Sequence, residues 1–228
     1  MRIGFIGQGY VGFNTANDFE ERGLSVVRYS LEAEYIGNKE KIRDCDIVFV
    51  AVPTPSTPQG FDYSIVEKEL ALVGDGKIAV IKSTLLPGTT DALRTQYPNL
   101  TIVFSPEFLC EATAARDARE PIFTILGIEK GDVSYEAAAQ TLLTILPRGR
   151  STHIVSTRAA ELFKYIHNIH GYARVILANM FFDLGTHHGV EWPAVEALMN
   201  VDPMMSPYYN SPVHKSGRGA GGHCFIKD

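Results

Sequence analysis

One cysteine, Cys224, follows a run of glycines in SGRGAGGHCFIKD, the stretch that ends the sequence. Glycines let a backbone approach another molecule closely, a setting suited to a thiol that attacks a substrate. An unperturbed thiol is only slightly ionised at neutral pH, so that role needs a cation nearby. Lys164 is the candidate, in AAELFKYIHN, and Asn168 four residues later shares its helical face. A cation and an amide donor turned to one point can stabilise an oxyanion, worth about 3–4 kcal/mol per donor. The plainer readings are a buried inert thiol and a lysine whose stem covers apolar surface while its head reaches water.

A second group lies at the other end. Gly7-Gln8-Gly9-Tyr10-Val11-Gly12 follows the short apolar run Arg2–Ile6 and opens a helical pattern from Phe13 to Arg22. A strand–GxGxxG–helix unit is the setting that a dinucleotide phosphate site requires. Gly7 permits the turn, Gly9 admits the pyrophosphate, and Gly12 lets helix and strand pack. The helix N-terminus favours the anion. An acid about 20 residues on usually holds the adenosine ribose of NAD. Ser30 stands there instead, with Glu32 or Glu34 as substitutes. Alternatively, Arg28 and Ser30 accommodate the 2′-phosphate of NADP; NAD is the expected cofactor.

These groups need a frame. Short apolar runs at Leu24–Tyr29, Ile47–Val52, Ile78–Ile81, Thr101–Phe104 and Ile122–Leu126 alternate with helical patterns at Ser64–Val73, Thr89–Gln96 and Asp132–Leu146. That order predicts an α/β fold, a Rossmann-type doubly wound parallel sheet with ligands along one edge of its strands. After about Val155 the pattern becomes one long helix, Thr157–Gly185. Leu162, Ile166, Ile169, Ala173, Ile176, Met180 and Leu184 form its stripe, with further apolar residues beside it. Such a helix needs cover from a domain, a partner subunit, or both. The division expected is residues 1–155 as the dinucleotide-binding domain and 156–228 as a central helical domain ending in the cysteine loop.

With 228 residues, 45% hydrophobic and 21% charged, the composition is that of a globular protein. The net charge of −5 argues against a nucleic-acid surface. The glycine-rich start does not read as a signal peptide, and no apolar run is long enough to span a membrane. Three cysteines without framework spacing read as reduced thiols, which sets the expectation of a cytoplasmic protein. The histidines lack a ligand spacing, so no metal is expected.

GFIGQGYVG, VAVPTP, IKSTLLPGTT, SPEFLCEATAARD, AAELFKYIHN and GAGGHCFIKD, in that order, resemble the UDP-glucose/GDP-mannose dehydrogenase family. The resemblance implies oxidation of a sugar-nucleotide CH₂OH to a carboxylate with two NAD⁺, through a cysteine-bound intermediate. It makes Cys224 the nucleophile, Lys164 and Asn168 the oxyanion donors, Asp228 a positioning or deprotonating group, and Glu107 the general base. Thr84 and Glu111 fall near the nicotinamide and the water. Gly7, Gly9, Tyr10, Val11, Gly12, Ser30, Pro53, Thr54 and Ser83 fall at the cofactor. Phe108, Leu109 and Gly221 join Glu107, Lys164 and Asn168 at the substrate. Glu107 and Glu111, four apart, either share a helical face or form a solvated pair.

The sequence departs from the family at Ser30, in a short connection before Asp46, at His223 and Ile226, and in a further C-terminal domain that grips the nucleotide. These departures imply an enzyme impaired alone and a separately supplied substrate-binding domain, and the apolar helix 157–185 sets the expectation of a homodimer. Two other readings stand beside it: a small hydroxyacid dehydrogenase on the same frame, which needs no thiol, and a non-catalytic dinucleotide-binding or assembly module.

Overall fold

The structure, a computed structural model, describes residues 1–205, 208–214, 217–221, 225 and 227. The described chain forms two compact units, Met1–Lys164 and Tyr165–Asp228.

In the first unit β1 (Ile3–Ile6), β2 (Val26–Tyr29), β3 (Ile47–Val50), β6 (Ile78–Ile81) and β7 (Thr101–Phe104) pair in parallel, in the order β2-β1-β3-β6-β7. Apart from Arg28 in β2 and Thr101 in β7, these strands are apolar on both faces because helices cover both. Alternate residues divide between two cores. Ile3, Phe5, Ile47, Phe49, Val80 and Val103 pack under α1 (Tyr10–Glu21) and α5 (Val133–Ile145). Ile6, Val48, Val50, Ala79, Ile81, Ile102 and Phe104 pack on the other side, under α2 (Ser64–Leu70) and α3 (Thr89–Gln96). Phe5, Phe19 and Phe49 close the first core, stacked or edge-on with centroids 4.8–5.3 Å apart. A small hairpin, β4 (Ser56–Thr57) and β5 (Gly60–Phe61), projects from the connection after β3.

The parallel, doubly wound sheet expected is present, with one antiparallel pairing towards its edge. β8 (Phe123–Ile128) runs antiparallel to β7, and β9 (Ser151–Ser156) pairs in parallel with β8. A parallel return needs a crossover of a dozen residues or more, usually a helix. The chain after β7 instead stays extended along the carboxyl edge, and α4 (Ala114–Arg119) is only 6 residues long. The strand therefore re-enters from the edge at which β7 leaves.

The long helix, α6, spans Thr157–His187. Its buried residues are Thr157, Ala160, Glu161, Lys164, Asn168, Gly171, Val175 and Ala178, a stripe of small and polar side chains. The apolar stripe expected to be covered is open: Ile166 and Ile169 are each 52% exposed, Met180 60% and Leu184 55%. In the second unit α7 (Trp192–Val201) rests Trp192 on Phe182 of α6. The hairpin of β10 (Val213–His214) and β11 (Gly217–Arg218) is tied to α6 by Arg218, which pairs with Asp183 at 2.7 Å and bonds Asn179. Gly171 leaves room for the rings of Phe225 and Tyr209. No described helix is long and apolar enough to cross a membrane.

Candidate active site

The parallel strands deliver four loops to one edge of the sheet: the glycine loop after β1, Ala51–Thr54 after β3, Lys82–Thr84 after β6, and Ser105–Glu107 after β7. Between β1 and β3 the strand order reverses, the place where open α/β sheets bind ligands.

The glycine loop has the geometry its sequence anticipates. Gly7 has φ +88°, and a Cβ on it would lie 2.2 Å from the Ala51 carbonyl oxygen. A Cβ on Gly12 would lie 1.9 Å from the Gly7 carbonyl oxygen, so the helix sits directly against the strand. Gly9 has nothing within 4 Å of its Cβ position. It is the N-cap of the 12-residue α1, which no side chain caps and whose first turn carries no acid. An open glycine on an uncapped helix start suits a pyrophosphate. The residues present therefore fit a dinucleotide. Tyr10 is exposed and Val11 half-buried beside this opening.

At the end of β2, Arg28 is buried and committed. Its guanidinium pairs with Glu20 at 2.7 Å, bonds Asn17, and lies over the Phe13 ring. Ser30 is half-buried and accepts the Glu32 amide; Glu32 and Glu34 are exposed. An arginine already neutralised by Glu20 is a poor partner for a 2′-phosphate.

The exits of β3 and β6 are stitched together. The Ser83 hydroxyl accepts from Val52 N and donates to Val52 O, and the Thr54 hydroxyl donates to the Thr84 carbonyl. Ser83 and Thr54 are buried, Thr84 is half-buried and Pro53 exposed. The two hydroxyls hold the corner together, with Pro53 at its surface.

Glu107 is held from two sides. Its carboxylate pairs with Lys82 at 3.2 Å and accepts the Phe108 amide at 2.9 Å. Its carbonyl accepts from the Lys164 ammonium at 2.6 Å, and that ammonium lies 4.9 Å from the centroid of the Phe108 ring. Phe108 packs edge-on against Phe123, and both meet Phe163 of α6. Leu109 is half-buried next to them. Glu161, one turn before Lys164 and fully buried, accepts from Gly88 N, Thr90 N and the Thr90 hydroxyl at the start of α3. Burial pushes its carboxyl up, and the three donors oppose that push. This carboxylate fixes the start of α6, and with it Lys164, on the sheet.

Glu107 and Glu111 share no helix. The segment from Ser105 to Cys110 is extended, with the Phe108 ring on Phe123, and Glu111 is exposed at the start of a 3₁₀ turn, Glu111–Thr113. Asn168 is buried on α6 in the second unit, where Gly221 is exposed with open space at its Cβ position. Cys224, Asp228 and His223 lie outside the described residues. Cys45 and Cys110 are free thiols; burial pushes Cys45 up, away from the reactive thiolate. Sequence reasoning passed over Lys82 and Glu161. The signal was there for Lys82: a lone cation directly after a fully apolar strand.

Comparison with known proteins places this geometry. The NAD-binding domain of the UDP-glucose/GDP-mannose dehydrogenase family matches residues 29–144, beginning after the glycine loop, and that family's central domain matches residues 158–228. The UDP-glucose 6-dehydrogenase AglM of Haloferax volcanii is 28% identical over all of this chain and 64% of its own length. The UDP-N-acetyl-D-mannosamine dehydrogenase of Pyrococcus horikoshii is 27% identical over all of this chain and 63% of its own. A solved structure of a UDP-D-ManNAc dehydrogenase from P. horikoshii superposes with a TM-score of 0.86 at 23% identity, over all of this chain and 62% of that one, a likeness of fold. The chain thus spans just under two thirds of the length of these relatives. With both family domains matched in order over most of its residues, the chain belongs to the UDP-glucose/GDP-mannose dehydrogenase family and carries its NAD-binding domain.

Proposed function

We propose that the chain acts as an NAD-dependent nucleotide-sugar 6-dehydrogenase, oxidising a sugar CH₂OH to a carboxylate. The overall reaction removes two hydrides, consumes one water and releases three protons. The observation that carries this reading is Glu107, held between two buried lysines on the same sheet edge as an open dinucleotide loop.

Gly7, Gly9, Tyr10, Val11 and Gly12 hold NAD, with the Pro53–Thr54 corner and Thr84 beside it. NAD supplies the hydride acceptor for both oxidations. Glu107 serves as the base. The Cys224 thiolate attacks the aldehyde carbon left by the first oxidation, and the second oxidation turns that adduct into a thioester. Water hydrolyses the thioester, returning the thiolate and releasing the acid. Lys164 and Asn168 donate to the oxygen that gains charge, an arrangement worth about 3–4 kcal/mol per donor in transition states of this kind. Asp228 assists at the thiol. Phe108, Leu109 and Gly221 complete the sugar site, and Glu111 and Ser30 border the cofactor. Arg28, already paired with Glu20, supports NAD over NADP.

The open apolar stripe of α6 supports a homodimer through that helix, with a second copy covering Ile169, Ile176 and Met180. The substrate's nucleotide is gripped by a further domain, and cytoplasmic residence fits the reduced thiols.

Absorbance at 340 nm, with NAD⁺ or NADP⁺ and a panel of UDP- and GDP-sugars, tests the reading. Two NADH per sugar are expected, and Cys224→Ser is expected to stop the reaction at the aldehyde. Unchanged turnover of Cys224→Ser on a small hydroxy acid would install the hydroxyacid dehydrogenase reading instead.

A further inference from the structure

Lys82 has no assigned role, yet its position is among the most constrained in the first unit. It directly follows β6 at the centre of the sheet, and its backbone N–H is bonded to Val50 O at 2.8 Å. Its side chain is only 6% exposed. A lysine in such surroundings is costly unless it is paired. Its ammonium donates to the Glu107 carboxylate at 3.2 Å and to the Ser105 carbonyl at 3.5 Å, two groups of one short segment.

We infer that Lys82 is a positioning residue that sets the Glu107 carboxylate, while Lys164 binds the main chain of the same residue. One carboxylate oxygen is fixed by Lys82 and the other by the Phe108 amide. Each anchor leads back to a rigid element. Lys82 extends from β6, next to the Ser83–Val52 stitch, and Lys164 extends from α6, locked by Glu161. Glu107 itself lies on extended chain without a ladder of its own, so its side chain needs these anchors to hold one direction.

The space beside Lys82 is small, a narrow crevice shared with Ser105, Asp117, Phe123 and Thr124, of about 20 Å³. That is room for about one water and nothing larger. The influence of Lys82 on a reaction therefore passes through Glu107.

The proposal rests on the dehydrogenase reading for its kinetic arm but has a second arm that does not. In the full chain, carboxylates are labelled with a carbodiimide and glycine ethyl ester and mapped by mass spectrometry. Glu107 is expected to label several-fold faster in Lys82→Met than in the wild type, and at the wild-type rate in Lys82→Arg, which keeps the charge. Buried Glu161 serves as the internal reference. In turnover, Lys82→Met is expected to lower kcat about 10- to 100-fold, the cost of a misplaced group, with KM for NAD⁺ unchanged and Lys82→Arg recovering most of the loss. Lys82→Gln replaces Lys82→Met if the latter fails to fold. If the wild type reduces no NAD⁺ with any sugar nucleotide, the dehydrogenase reading falls and the labelling alone decides the role of Lys82. Equal labelling of Glu107 in wild type and variant overturns the proposal. Altered labelling with unchanged kcat overturns the part Lys82 is given in turnover.

Discussion

Two substitutions in the glycine loop separate packing from ligand approach. Gly12→Ala places a Cβ 1.9 Å from the Gly7 carbonyl oxygen, where carbon and oxygen need about 3.3 Å. Helix and strand must part by about 1.4 Å, the difference of those distances, or the turn must rotate its peptide. Alanine inside a helix gains about 1 kcal/mol over glycine, while overpacking a close contact costs about 1–3 kcal/mol. Backbone cannot swing aside as a flexible side chain does, so the upper part of that range applies, for a net loss of about 1–2 kcal/mol. For a unit of this size that lowers the melting temperature by about 2–8 °C. Gly9→Ala meets nothing within 4 Å and has φ −69°, so its cost is that of alanine at an N-cap, about 0.5 kcal/mol. Its Cβ nevertheless enters the space opened for the pyrophosphate, and NADH affinity is expected to fall at least about tenfold. Thermal melts and NADH fluorescence titrations on both variants provide the check. A Gly12→Ala protein that melts with the wild type, or a Gly9→Ala protein that binds NADH normally, refutes the assignment of roles within the loop.

Glu161→Ala removes the acceptor for two amides and a hydroxyl at the start of α3, and a loss of about 3 kcal/mol is expected in urea unfolding, less for Glu161→Gln. Replacing both members of the second buried pair, Lys82→Met with Glu107→Leu, is expected to leave a melting temperature no lower than that of Lys82→Met alone, because the single change strands an ion. Burial works against the charge of Asp117, but bonds from the Thr113 hydroxyl, the Cys110 amide and Arg116 outweigh it and hold its carboxyl below the usual range. A lowered folded value gives stability that is present above the unfolded value, about 3.9, and lost as pH falls through the folded one. Urea midpoints measured from neutral pH down to pH 3 should therefore decline less steeply in Asp117→Asn than in the wild type. Ile169→Glu with Ile176→Glu, both on the open stripe of α6, is expected to scatter light as a monomer at concentrations where the proposed homodimer forms.

The central strands were legible because a strand covered on both faces must be apolar throughout, and Ile3–Ile6, Ile47–Val50 and Ile78–Ile81 are. The edge was not. β9 reads Ser-Thr-His-Ile-Val-Ser, mostly exposed, and a polar edge strand carries no periodic signal. Nor does hydrophobic pattern encode direction: β8 runs antiparallel to β7, and β9 parallel to β8. Two glycines of the loop were legible because each answers a steric demand, Gly7 against the Ala51 carbonyl and Gly12 against the Gly7 carbonyl, while Gly9 meets open space.

α6 shows why periodicity finds a face without saying what covers it. The stripe with the stronger apolar pattern is open, while Thr157, Glu161, Lys164 and Asn168 are buried. Those residues are costly to bury, and simple hydrophobic reasoning assigns them to solvent. They remain inside because each charge meets a fixed opposite: Glu161 the amides of α3, Lys164 the carbonyl of Glu107. Lys82 escaped notice for the same reason, since a lone lysine after a strand ordinarily marks the strand's exit into water. A buried ion pair is at best a weak stabiliser compared with an apolar pair of the same shape. Four charges, Glu161 and Lys164 on one turn of α6 and Lys82 and Glu107 at two strand exits, therefore make poor sense as reinforcement of the fold. They make better sense as a device for direction, since an ion held at both ends cannot rotate, and the base proposed at Glu107 gains from having one orientation.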